Sequence, residues 1–200
     1  MKVFAIDPGN THSAYCVVDA ETLRPLEFAK LPNAELREVI KNTRFDECDR
    51  AAVEMLQSYG NLIGKDVLET AVWIGRFAER LDRKLLHPAD MVYRIDGKVH
   101  ITGNPKAGDA NIRRALIDRF CTHDFRTGRG TKAKPDFFHG FAGDVWAAYA
   151  VALTYIETKL EYIVEENPVL KNRDYAESMG MSYGAYMAEL QRSKERGNHD

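Results

Sequence analysis

The chain has 200 residues, 44% of them hydrophobic, with 28 Lys and Arg against 30 Asp and Glu, the composition of an ordinary globular protein with one core and at most an appendage. Cys16, Cys48 and Cys121 lie far apart, with neither CxxC nor Cys/His ligand spacing, which excludes a disulfide framework and a structural zinc site and leaves reduced thiols as the expectation. The opening MKVFAIDPGN meets an acid too soon for a signal peptide, and the longest apolar stretch, 145–153, is about half a bilayer span, so a cytoplasmic protein with no membrane partner is expected.

Residues 2–6 form a short apolar run, Asp7-Pro8-Gly9-Asn10 is a turn signal, and 13–19 is rich in β-formers. A hairpin is therefore expected at the start. A third strand follows near 26–31, Pro32-Asn33 introduces a helix to about residue 42, and 50–54 (Arg-Ala-Ala-Val-Glu) reads as a buried strand ending in a carboxylate. Residues 65–83 have helical periodicity, with Val67, Leu68, Ala71, Val72, Gly75 and Ala78 on one stripe expected to face the core. Trp73 and Phe77 fall off that stripe, so they are the expected contact with a second subunit.

Residues 91–95 and 99–102 are expected to pair as strands around Asp96-Gly97. A helix from about 106 to 120 comes next, and 126–134 (RTGRGTKAK) reads as a flexible basic loop without an acid. Residues 143–166 carry the strongest helical pattern. Beyond Asn167-Pro168 the composition turns polar, with a marginal helix at 182–196. Strands first, then strands alternating with helices, indicate an α/β fold with a mixed central β-sheet flanked by α-helices. The expected organisation is a domain at 1–166 and a polar helical extension at 167–200.

Three carboxylates stand where structure alone would not put them: Asp7 and Glu54 at strand exits and Asp144 at the start of the long helix. Buried charges are costly unless paired or bound to metal. If the two strands are neighbours and the helix crosses their ends, the three acids converge. Such oxygen ligands suit magnesium or manganese rather than zinc, and two ions about 4 Å apart would serve in-line hydrolysis of a phosphodiester. Taken singly, Asp7 also suits a turn and Asp144 a helix cap.

Ile6-Asp7-Pro8-Gly9, then Ala52-Val53-Glu54 followed by a polar and aromatic loop and a helix, then an Asp opening an Ala-rich helix, resembles the RuvC family of Holliday-junction resolvases. EMLQSYGNLIGKDVLETAVWIGRF and GFAGDVWAAYAVALTY are similar, more narrowly, to RuvC-like nucleases of bacteriophages and prophages, and the likeness spans residues 3 to 165. The resemblance implies an RNase H-like fold, a homodimer, and magnesium-dependent symmetric cleavage of a four-way DNA junction, with Asp7, Glu54 and Asp144 as metal-binding catalytic acids. One departure is visible. The family carries a further acid, or a His and Asp pair, spaced by three residues on the last helix, whereas Ala147 or Phe141 stands at that spacing from Asp144. His139, Asp136 or Asp109 are the candidates to replace it, or three carboxylates with phosphate and water suffice.

Gln57, Ser58 and Tyr59 follow Glu54 and are expected to project toward DNA, Tyr59 stacking on a base unless it is a core residue. Lys106, Arg113, Arg114, Arg126, Arg129, Lys132 and Lys134 are candidate phosphate contacts. Thr11 and Ser13 either donate to a phosphate or satisfy the turn. Two rival readings stay open: a non-catalytic junction-binding protein, and an actin-like or sugar-kinase-fold phosphotransferase, which would need a second Asp-x-Gly subdomain that the sequence lacks.

Overall fold

The structure is a computed structural model that describes residues 1–47, 49–57 and 63–160. The chain divides into a unit spanning Met1–Glu157 and a second spanning Thr158–Asp200, of which only residues 158–160 are described. The expected helix at 182–196 lies outside the described residues.

In chain order the first unit runs β1 (Lys2–Asp7), β2 (His12–Asp19), β3 (Pro25–Pro32), α1 (Asn33–Asn42), β4 (Arg50–Met55), α2 (Lys65–Asp82), β5 (Asp90–Tyr93), α3 (Arg94–Thr102), α4 (Asp109–Phe120) and α5 (Val145–Tyr155). A π-helical turn, Ile156–Leu160, continues α5. The strands form one mixed sheet in the order β3-β2-β1-β4-β5. The pairs β1–β2 and β2–β3 are antiparallel; β1–β4 and β4–β5 are parallel. Among the described residues it is the only sheet, so they contain no second, equivalent subdomain of the actin-like kind.

Strand periodicity divides the core into two layers. Phe4, Ile6, Tyr15, Val17, Ala51 and Val53 point to one face and pack with Leu36 and Ile40 of α1 and Ile74, Phe77 and Leu81 of α2. The alternate residues Val3, Ala5, Ala14, Cys16, Val18 and Ala52 are equally buried and mostly small. On that face α5 crosses β1, β2 and β4. Every residue of α5 except Ala147 is buried, as a helix apolar on all sides must be.

Three sequence expectations change here. The 91–102 hairpin is a parallel strand, β5, followed by α3. Gly97 is not a turn residue: a Cβ there would lie 3.4 Å from Thr154 Oγ1, so the glycine lets α3 lie close to α5. The stripe of α2 is inverted: Thr70, Ile74, Phe77 and Leu81 are buried, while Val67, Leu68 and Val72 are exposed. Phe77 is therefore core and not a subunit contact. Trp73 packs at the edge of that core with Arg76 stacked over its ring.

The basic loop, finally, is a hydrogen-bonded structure rather than a floppy tether. Asp136 accepts backbone N–H bonds from Thr122, His123, Asp124 and Phe137, and Asp124 accepts those of Arg126, Thr127 and Gly130. A cluster of Phe120, Phe137, Phe138, Phe141, Trp146 and Tyr149 anchors its base. No helix among the described residues is long and apolar enough to cross a membrane.

Candidate active site

Because β1 and β4 are parallel neighbours with Ile6 opposite Val53, the next residues, Asp7 and Glu54, leave the sheet side by side. Alternation turns both toward the α5 face, the side of Ala5 and Ala52. Asp144 stands at the N-cap of α5 and makes no side-chain cap bond. All three acids line one cavity of about 350 Å³, which Arg94, Asp109, Arg113 and Ala147 also line. It opens at the carboxyl ends of the parallel strands, where open α/β sheets hold their ligands.

The turn after Asp7 is rigid for local reasons. A Cβ on Gly9 would come within 2.3 Å of the His12 carbonyl oxygen, so only glycine fits. Ser13 Oγ accepts from Gly9 N at 3.0 Å and donates to Asn33 Oδ1 at 2.7 Å, while Asn33 Nδ2 donates to the Gly9 carbonyl. Ser13 is 1% exposed and its hydroxyl is engaged on both sides, so it satisfies the turn. Thr11 remains exposed, its hydroxyl 3.2 Å from His12 Nδ1.

Burial raises the pKa of Asp7 well above the carboxylate range, and the adjoining charges of Glu54 and then Asp144 push the same way, against the opposing effect of Arg94. A hydrogen bond between the Asp7 and Glu54 carboxyls adds to the same upward push. Glu54 in turn faces Arg94, whose Nη1 lies 3.4 Å from Oε2 while its Nη2 is 2.5 Å from Asp109 Oδ1. Burial acts to lower the pKa of Arg94, but Glu54, Asp109 and Asp7 outweigh it and hold the guanidinium charged. Asp144 pairs with Lys30 of β3 at 2.6 Å. No motif or periodicity in the sequence marks Arg94 or Lys30. The only signal for Arg94 was its place immediately after the apolar run of β5.

Among the described residues, no three His, Cys, Asp or Glu side chains are grouped so as to hold a metal ion. The acids nevertheless fit one hard cation. Asp7 and Glu54 are adjoining oxygen donors whose mutual repulsion a divalent ion would relieve, and magnesium is often held by one or two carboxylates with substrate phosphate and water. His139 stands elsewhere: its Nδ1 lies 2.9 Å from the Arg129 carbonyl oxygen, in the clasped loop, and it does not line the cavity. Asp136 is committed to backbone N–H groups, which outweigh burial and hold its carboxyl below the usual range.

Of the remaining candidates, Arg113 lines the cavity and stacks over Trp146, 4.9 Å from the ring centroid. Gln57 lines an adjoining groove with Asp7, Asn10 and Glu54. Arg114 is occupied with Asp118 and the Phe125 carbonyl, so it braces the loop. Lys106, Arg126, Arg129, Lys132 and Lys134 are exposed. Ser58 and Tyr59 lie outside the described residues.

No protein-family model matches the sequence, and no curated protein matches it. Solved structures do. A Thermus thermophilus RuvC structure superposes with a TM-score of 0.54 at 19% identity, over 80% of this chain and 97% of that one. The fold is that of RuvC. T. thermophilus RuvC in complex with a Holliday junction substrate superposes at 0.50, again at 19% identity, over 80% of this chain and 96% of that one. The shared fold is the RNase H-like mixed sheet between helices, which the described residues of this chain build from five strands and five α-helices.

Proposed function

We propose that this chain is a metal-dependent, structure-selective DNA endonuclease that resolves four-way junctions or related branched DNA, a relative of the RuvC-like nucleases of phages and prophages. The observation that carries this reading is the pairing of Asp7 and Glu54 at the ends of adjacent parallel strands, in a cavity shared with Asp144. Two half-buried carboxylates side by side serve no packing purpose. A RuvC structure with this fold that holds a Holliday junction substrate supports the choice of DNA.

Hydrolysis adds one water across a P–O ester bond. The water oxygen bonds to phosphorus, the ester oxygen leaves and takes up a proton, and the products are a phosphate monoester and a hydroxyl. When bound, magnesium or manganese, two ions at full complement in this reading, would supply the charge that makes water a nucleophile and eases departure of the ester oxygen. Asp7 and Glu54 would hold that charge; Asp144, once released from Lys30, would join them. Arg113 and the exposed cations of the loop, Arg126, Arg129, Lys132 and Lys134, would take backbone phosphates on either side. Paired incisions need two sites related by a twofold axis. The exposed apolar face of α2, with Val67, Leu68 and Val72, is the surface that a second copy would cover.

The test is incubation with a labelled four-way junction, a linear duplex and a flap, in magnesium, in manganese and in chelator. Paired nicks at symmetric junction positions, dependent on metal, are expected. Tight junction binding with no cut in any metal would favour a non-catalytic junction-binding protein, which the cations already seated on Glu54 and Asp144 would then explain.

A further inference from the structure

Arg94 is the first residue of α3 and follows β5 directly, so the strand end fixes its backbone beside Glu54, which pairs with Val92. Its guanidinium, 42% exposed, reaches back over the cavity to the acids Glu54 and Asp109. It lines both the cavity and the adjoining groove of Gly9, Asn10 and Gln57, so a strand passing from one to the other meets it. The contact with Glu54, at 3.4 Å, is at the limit of a hydrogen bond, whereas that with Asp109 is short at 2.5 Å. Glu54 is thus loosely held and Arg94 is anchored from the other side.

Two further observations bear on how much positive charge the site takes. Ala147 lines the cavity one helical turn beyond Asp144 and offers no ligand atom. The lining carries four acids, Asp7, Glu54, Asp109 and Asp144, against three bases, Arg94, Lys98 and Arg113. One divalent ion already turns that balance positive. A second would find, beyond Asp7 and Glu54, only Asp144 and Asp109, which Lys30 and Arg94 already neutralise. Arginine, by contrast, presents fixed paired donors that match the non-bridging oxygens of a phosphate.

We propose that Arg94 is a catalytic residue that takes the place of a second metal ion: it yields Glu54 to a single divalent ion and donates to the non-bridging oxygens of the scissile phosphate. The inference rests on the nuclease reading above and revises its ion count. Asp109 then acts as a positioning residue that aims the guanidinium into the cavity. The bonds made and broken are those already given; Arg94 moves no proton and compensates the charge that gathers on phosphorus-bound oxygen.

The test uses the full chain and manganese as the probe ion, titrated without DNA and counted by the paramagnetic signal of the free ion, alongside junction cleavage. Wild type is expected to take one ion per chain. Arg94→Ala should take a second ion, or bind the first about tenfold more tightly, and yet cut with a kcat lower by about 100-fold. Arg94→Lys should keep the single ion and recover part of the rate. Thermal melting of both variants checks that they fold, and the wild-type ion count stands whether or not they do. Two ions per wild-type chain, or an Arg94→Ala rate within about threefold of wild type, would overturn the inference alone. A wild type that binds no manganese and cuts no junction would overturn the nuclease reading, and this inference with it.

Discussion

Two regions of this molecule bury aspartate in opposite ways. Asp136, in the loop between α4 and α5, is surrounded by backbone N–H groups that hold its carboxyl below the ordinary range despite burial. Asp7, at the end of β1, has burial and two further carboxylates beside it, and its pKa is pushed up. The same side chain is a structural clasp in one place and, in the other, a carboxyl whose ionised form the fold disfavours. What separates them is the neighbours: donors aimed inward belong to folding, and like charges gathered together belong to chemistry.

The largest effect that would break or sharpen this contrast is on turnover. Glu54→Gln should lower metal-dependent junction cleavage by at least about 100-fold, the scale of losing one preorganised electrostatic group, while junction affinity in a gel-shift assay stays near wild type. Asp136→Ala should do the reverse. It strips the partner from four backbone N–H groups and should cost about 2–3 kcal/mol in urea denaturation.

The two aspartates should also respond to pH with opposite signs. Folded Asp7 keeps its proton at pH values where the unfolded chain has lost it, so its contribution to metal-free stability falls as pH rises from about 4 through the raised value. Folded Asp136 loses its proton earlier than the unfolded chain does, so its contribution is complete above about pH 4 and is lost as pH falls through the lowered value. Melting temperature against pH for wild type, Asp7→Asn and Asp136→Asn, all without metal, resolves the two slopes.

Smaller effects are expected at the surfaces. Leu68→Glu on the exposed face of α2 should change the unfolding free energy of a monomer by no more than about 0.5 kcal/mol, but shift sedimentation toward the monomer and reduce paired incision to single nicks. Smallest of all, Arg129→Ala should weaken junction binding a few-fold, alike for all sequences, and lower the slope of log affinity against log salt by about 1.

The strands β1 to β4 and helices α1, α2 and α4 are legible in the sequence because their apolar periodicity and turn residues agree. The 91–102 segment is not: Asp96-Gly97 has the chemistry of a hairpin turn, and only the closeness of α5, at Thr154, shows why a glycine sits inside a helix. For α2, two apolar faces compete, and periodicity cannot say which one the sheet takes; the face of Ile74, Phe77 and Leu81 is the one buried. In the site, Asp7, Glu54 and Asp144 stand out as acids at element ends, whereas the cations opposite them do not. Lys30 and Arg94 look like ordinary surface charges until the sheet order brings β3 and β5 to the two sides of the acids.

The central claim is that Asp7 is held under electrostatic stress for the sake of catalysis, and one variant tests both halves. Asp7→Asn keeps the shape and removes the ionisable group. Metal-dependent cleavage of a four-way junction should be lost while the metal-free melting temperature at pH 7 rises by at least about 2 °C. A variant that is inactive but less stable than wild type, or one that is more stable yet still cuts, would contradict the account.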